Sequence, residues 1–106
     1  MEKRYMAFHL GRLRCLMSAI IYGGAFTYED AMAYGSSLTY ALPFVPVPGE
    51  DSIDESRAYA NLHYHATHPG AIFANDAYTR AGVEMAVRAL ERASIGQKTR
   101  SGRREK

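Results

Sequence analysis

SIDESRAYANLHYHATHPG, residues 52–70, decides what kind of object this chain is. Ser52 followed three residues later by Glu55 fits a capping box, in which each side chain satisfies the other residue's backbone donor. A helix is therefore expected from Ile53 to about Ala66 or Thr67. Proline at 69 disfavours the helical conformation for His68, and Pro69-Gly70 suits the centre of a type II turn. If 53–67 winds as one α-helix, Arg57, Asn61, Tyr64, His65 and His68 fall on one broad strip, while His63 projects away from it. The histidines at 63, 65 and 68 are then not one cluster, despite their closeness in the chain.

Downstream, Thr79, Val83, Ala86, Val87, Leu90 and Ala93 recur at three- and four-residue steps, the stripe of an amphipathic helix. Asn75 is the best cap, Asp76 to about Ser94 the expected span, and Gly96 the expected stop. Arg80, Glu84, Arg88 and Glu91 form the opposite face. Their spacing suits Glu84–Arg88 and Arg88–Glu91 pairs, each worth about 0.5 kcal/mol or less. Ile72 and Phe73, in the connection, are expected core anchors. The residues from 96 onward have no apolar side chain beyond glycine and carry Lys98, Arg100, Arg103, Arg104 and Lys106, which predicts a flexible basic tail.

Upstream, Met6, Leu10, Leu13, Met17, Ile20 and Ile21 predict a first helix from about Tyr5 to Tyr22, ended by Gly23-Gly24. Thr27 reads as the N-cap of a second, with Glu29 and Asp30 in its first turn, running to about Ala41 before Pro43. Its expected core face is Tyr28, Met32, Gly35, Thr39 and Leu42. Ala31 and Gly35 are small enough for close approach. Tyr34 and Tyr40 point elsewhere and are candidates for an interface. Prolines at 43, 46 and 48 impose an extended loop, which Phe44, Val45 and Val47 would pin to the core.

Four helices, one proline-rich loop between the second and third, and no convincing strand alternation point to an all-α, bundle-like domain over residues 1–95 with a disordered basic tail over 96–106. At 106 residues the chain holds one domain and one modest core. A single cysteine, Cys15, excludes an internal disulfide, suits a reducing, cytoplasmic location, and reads as a small buried apolar residue. The longest apolar run, 15–27, is too short to span a bilayer. A basic start before CLMSAIIYGGA resembles a secretory signal, but Arg12 and Arg14 lie deep in it and its apolar spacing is one-sided, as in an amphipathic helix.

The net charge of +2 hides segregation. Lys3, Arg4, Arg12 and Arg14 make the first segment basic. Residues 23–55 carry Glu29, Asp30, Glu50, Asp51, Asp54 and Glu55 with no lysine or arginine. Opposed blocks of this kind suit contact between the two segments, within a chain or between chains. They do not describe the uniformly basic surface that wraps nucleic acid.

Chemistry is sparsely indicated. His65 and His68 would meet as i, i+3 neighbours, but a metal site needs a third ligand, from Asp76, His9 or a second chain, and the spacing matches no ligand motif. The plainer reading is that the histidines are helix-end residues. Arg57 with Asn61, Tyr64 and the imidazoles would hold a phosphate or a carboxylate; the plainer reading pairs Arg57 with one of the preceding acids. Acids at 50–55 are expected at a helix start and lack the spaced ligands of a calcium loop. Cys15 has no histidine within helical reach, and no nucleophile elbow, phosphate loop or dinucleotide fingerprint is present. The tail carries basic residues without interleaved aromatics, so a nucleic-acid role there would be electrostatic. The reading that results is a non-enzymatic helical protein-binding module, adaptor- or inhibitor-like and self-associating, with no cofactor and no membrane contact. A ligand or metal-dependent site on Arg57, Asn61, Tyr64, His65 and His68 is the alternative, and nucleic-acid binding through the tail a third.

Overall fold

The computed structural model describes residues 2–23, 27–49, 52–74 and 77–104. Four α-helices form it: α1 Glu2–Tyr22, α2 Tyr28–Ala41, α3 Ile53–Thr67 and α4 Ala77–Arg104. Among the described residues there is no strand. Each helix packs on its neighbours in the order α1–α2–α3–α4–α1, which leaves α1 and α3 across the bundle from each other. Specific contacts set the directions. His9 meets Ser37 and Arg12 meets Ala33, so α1 and α2 run antiparallel. Thr39 meets Ala66, and Gly35 lies under Pro69, which does the same for α2 and α3. Arg14 meets Glu91 across the α1–α4 seam. The result is an up-down-up-down bundle.

Its core is built from Met6, Leu10, Leu13, Leu16 and Ile20 of α1, Leu38 and Ala41 of α2, Leu62 and Ala66 of α3, and Val83, Ala86, Ala89 and Leu90 of α4, with Val45 from the loop. Two helix faces are rotated from the expected ones. On α1, Leu16 is fully buried, Met17 only flanks the core, and Ile21 is 50 % exposed. On α2 the buried set is Ala31, Gly35, Ser37, Leu38 and Ala41, while Tyr28 and Met32 face outward. Small residues line that face because α2 is pressed between two neighbours, α1 and α3. A Cβ on Gly35 would lie 2.8 Å from Pro69 Cγ, so the close approach there is made by the turn after α3.

The helix ends show which local signals survive packing. Thr27 caps α2 as expected, and a full box forms: Asp30 N–H donates to Thr27 Oγ1 at 3.1 Å, and Thr27 N–H donates to Asp30 Oδ2 at 3.0 Å. Gly23, with φ +72°, supplies the left-handed residue after α1. Ser52 occupies the N-cap of α3 but makes no side-chain cap bond; its carbonyl accepts from Ser56 N–H instead. Pro69-Gly70 opens a 3-10 turn, Pro69–Ala74, in place of a type II turn, because Gly70 takes no positive φ. The proline loop begins with another 3-10 turn, Leu42–Phe44, and of its three expected anchors only Val45 is buried; Val47 is 76 % exposed. Cys15 is exposed rather than buried.

Helix α4 runs through Gly96 to Arg104, so residues 97–104 are helical where the sequence predicts a flexible tail. Gly24, Asn75 and Asp76 lie outside the described residues, as do the side chains of Ile72, Phe73 and the basic residues of the last turns. Arg88 pairs with Glu84 at 2.7 Å as expected, whereas Glu91 reaches Arg14 on α1 at 2.8 Å. Of the first segment's cations, Arg12 donates to the Ala33 carbonyl and Arg14 to Glu91, so the basic and acidic blocks do not pair through these two side chains.

Candidate functional site

The strip on α3 divides when its neighbours are in place. His65 is 4 % exposed and turned into the α3–α4 seam, where its Nε2 lies 3.1 Å from Thr79 Oγ1. Thr79 is 1 % exposed. The two buried polar side chains meet across the seam, which offsets part of the cost of burying them. His68 stays outside. It stacks on Tyr64 with centroids 4.3 Å apart and planes 13° from parallel, and its Nδ1 lies 3.2 Å from the Tyr64 carbonyl and 3.0 Å from Thr67 Oγ1. The two histidines therefore do not form a ligand pair. Among the described residues no group of three or more His, Cys, Asp or Glu side chains converges on a point where a metal ion would sit.

Arg57 is exposed, and its Nη1 donates to Tyr78 Oη at 3.2 Å rather than to Asp54 or Glu55, the acids just before it among the described residues. That bond and the Tyr78 oxygen beside it hold the guanidinium pKa above its ordinary value, so the charge is secure. Asn61, one turn on, is half-buried, and its Oδ1 is buried without a hydrogen-bond partner. His63 packs edge-on to Tyr59, away from the strip. Arg57, Tyr64 and His68 thus form an outward group, while His65 serves the helix seam.

A second polar constellation joins α1 to α2. His9 Nδ1 lies 2.8 Å from Ser37 Oγ, and its ring stacks on Tyr40 at 4.3 Å. Tyr40 leans in turn on Phe44, and Arg12 lies 4.3 Å above the Phe8 ring. Read from the sequence, His9 is only a distant candidate for a third metal ligand, and Ser37 carries no role. The signal that could have joined them is the matching three-residue spacing of His9/Arg12 and Ser37/Tyr40 on adjoining helices. A serine beside an imidazole has the composition of an activated nucleophile. Here Ser37 is fully buried, so no acyl carbon can reach its Oγ, and the pair acts as a clamp between helices. Tyr34 and Tyr40 are both half-buried and pack against the core. Burial, then the nearby Asp30, raises the Tyr34 pKa.

The His9 clamp carries a pH dependence. Burial, and then the Arg12 charge, lowers its pKa from 6.5. The folded state thus prefers neutral His9, and its contribution is whole above pH 6.5 and lost as the pH falls through the lowered folded value. Between about pH 8 and pH 5, urea unfolding should show the wild type losing more stability than His9→Phe, which keeps a stacking ring without a titrating nitrogen. Equal losses in the two proteins would place the acid sensitivity elsewhere.

Grooves mark the surface of the described residues. One of about 400 Å³ lies between α1 and α4, with Met17, Ile21 and Val87 in its lining. Another, of about 300 Å³, lies beneath the proline loop against Met85, Arg88 and Arg92. Among the described residues no helix is long and apolar enough to cross a membrane. No protein-family model, curated protein or solved structure matches this chain.

Proposed function

We propose that this chain is a helical protein-binding module that acts by presenting an aromatic surface, and that it self-associates. The observation supporting this reading is the composition of one end of the bundle. The up-down topology brings the end of α1, the start of α2 and the end of α3 to the same end. There Tyr22 is 82 % exposed, Tyr28 62 %, Tyr64 53 %, and Ile21 and Met32 50 % each. Single exposed apolar side chains are ordinary on a protein surface. Five within three adjoining helix ends, three of them tyrosines, have the residue usage of a recognition surface, in which rigid amphipathic rings supply contact area at small entropic cost. The polar side chains that would serve a reaction are occupied otherwise: His65 and Thr79 bind each other, and Ser37 is sealed behind His9.

Size-exclusion chromatography with light scattering, from low to high micromolar concentration, tests self-association. A mass rising toward that of two or more chains is expected. A single-chain mass at the highest concentration would remove self-association from the proposal.

A further inference from the structure

We infer that the α1–α4 face is a two-fold surface on which a second copy of this chain lays its own α4 antiparallel to the first. This rests on the self-association proposed above and names the surface responsible. The groove there has an apolar lining of Met17, Ile21 and Val87, and Ile21 is 50 % exposed. The charged lining comes from α4, in the order Arg80, Glu84, Arg88, Glu91. These side chains are open to solvent; those of Glu84 and Arg88 are 51 % and 65 % exposed.

The charge order identifies the occupant. In a two-fold contact one patch must complement itself, and two antiparallel helices set residue i opposite residue j of the other copy with i + j constant. Read backwards, plus-minus-plus-minus becomes minus-plus-minus-plus, so the pattern is its own complement under reversal. With the axis near Ala86, Glu84 lies opposite Arg88 of the second copy and Arg80 comes within one residue of its Glu91, a distance a long side chain spans, and each pair occurs twice. A slip of one helical turn in one direction sets Glu84 against Glu84 and Arg80 against Arg88. A slip in the other direction sets Arg88 against Arg88. The first slip is penalised by like charges throughout, whereas the second sets Glu84 against Arg92 while Arg88 meets Arg88, so the charges disfavour the first more strongly than the second. Val87 lies next to the axis, with Met17 and Ile21 in the same groove, giving an apolar centre with a charged rim. The bonds within one chain, Arg88 to Glu84 and Arg14 to Glu91, leave each carboxylate with acceptor capacity for a second donor.

Sedimentation equilibrium in about 0.1 M salt, where exposed charges within about 10 Å still interact, tests the inference. Arg80→Glu turns each Arg80–Glu91 contact into two facing carboxylates, and Glu91→Arg turns it into two facing guanidiniums. Either substitution should weaken association by about tenfold or more. Mixing the two variants should restore it as a one-to-one heterodimer. In that pairing one of the two contacts joins two wild-type residues and the other joins the two substituted ones, so both bring opposite charges together. Ile21→Asp, a substitution on the exposed apolar lining, should abolish association without touching either charge pair. A wild type that dimerises while both charge variants dimerise equally well, or variants that weaken but do not rescue one another, would overturn this surface and leave self-association standing. A wild type that stays monomeric to high micromolar concentration would overturn both.

Discussion

Valine in place of Gly82 is expected to destabilise the bundle by about 3 kcal/mol, a large share of the roughly 5–15 kcal/mol that holds a small domain together. Gly82 is buried where α4 crosses α3. A Cβ there would lie 3.0 Å from the Ala58 carbonyl oxygen, 3.3 Å from Leu62 Cβ and 3.3 Å from Leu62 N. These atoms belong to the backbone of α3 or sit directly on it, so they cannot swing aside as a side-chain tip would. Alanine would require a shift of a few tenths of an ångström and would gain about 1 kcal/mol of helix propensity, leaving a small net effect. Valine adds two methyl groups beyond that Cβ and forces the helices apart. The seam that would open is the one holding His65 on Thr79, so the polar contact loosens with the packing. Gly11 is the control, since nothing lies within 4 Å of its would-be Cβ and Gly11→Ala should stabilise by about 1 kcal/mol. Urea midpoints decide the matter: a Gly82→Val midpoint equal to wild type would mean that α3 and α4 do not cross here.

Much of this architecture is legible in the chain because it rests on local period. The helix over Ile53–Thr67 is where the spacing predicts it, and α2 is capped by Thr27 as its sequence indicates. What period does not determine is how far a buried arc extends at each edge, since that is decided by the neighbouring helix. His65 borders Ala58, Leu62 and Ala66, and it is covered because α4 offers a threonine at the right height. Read with its polar neighbours alone, it joins Arg57 and His68 in a strip that the fold divides between seam and surface. The threonine within the apolar stripe of α4 is the clue to this, since a buried hydroxyl needs a partner. The glycines make a similar point. Gly23 ends a helix with φ +72°, whereas Gly96 is carried within one, because glycine costs a helix only about 1 kcal/mol and becomes a stop where the chain turns left-handed.

The rotation of α1 can be tested by two alanine substitutions with opposite expectations. Leu16→Ala should cost about 3 kcal/mol and lower the melting temperature by roughly 12 °C or more, because a fully buried leucine forfeits both its transfer free energy and the packing around the void. Ile21→Ala should cost less than about 1 kcal/mol, because half of that side chain already meets water. Apolar spacing alone reverses the order, since Ile21 belongs to the stripe read from sequence and Leu16 lies at its edge. The structure moves the stripe because α2 covers the side of α1 that carries His9 and Leu16, while the side toward the α4 groove stays open at Ile21. Thermal melts at low micromolar concentration keep the comparison on the single chain. If Ile21→Ala proved the more damaging of the two, α1 would be turned the other way, the groove beside α4 would be filled by its own isoleucine, and no apolar centre would remain there for a second copy.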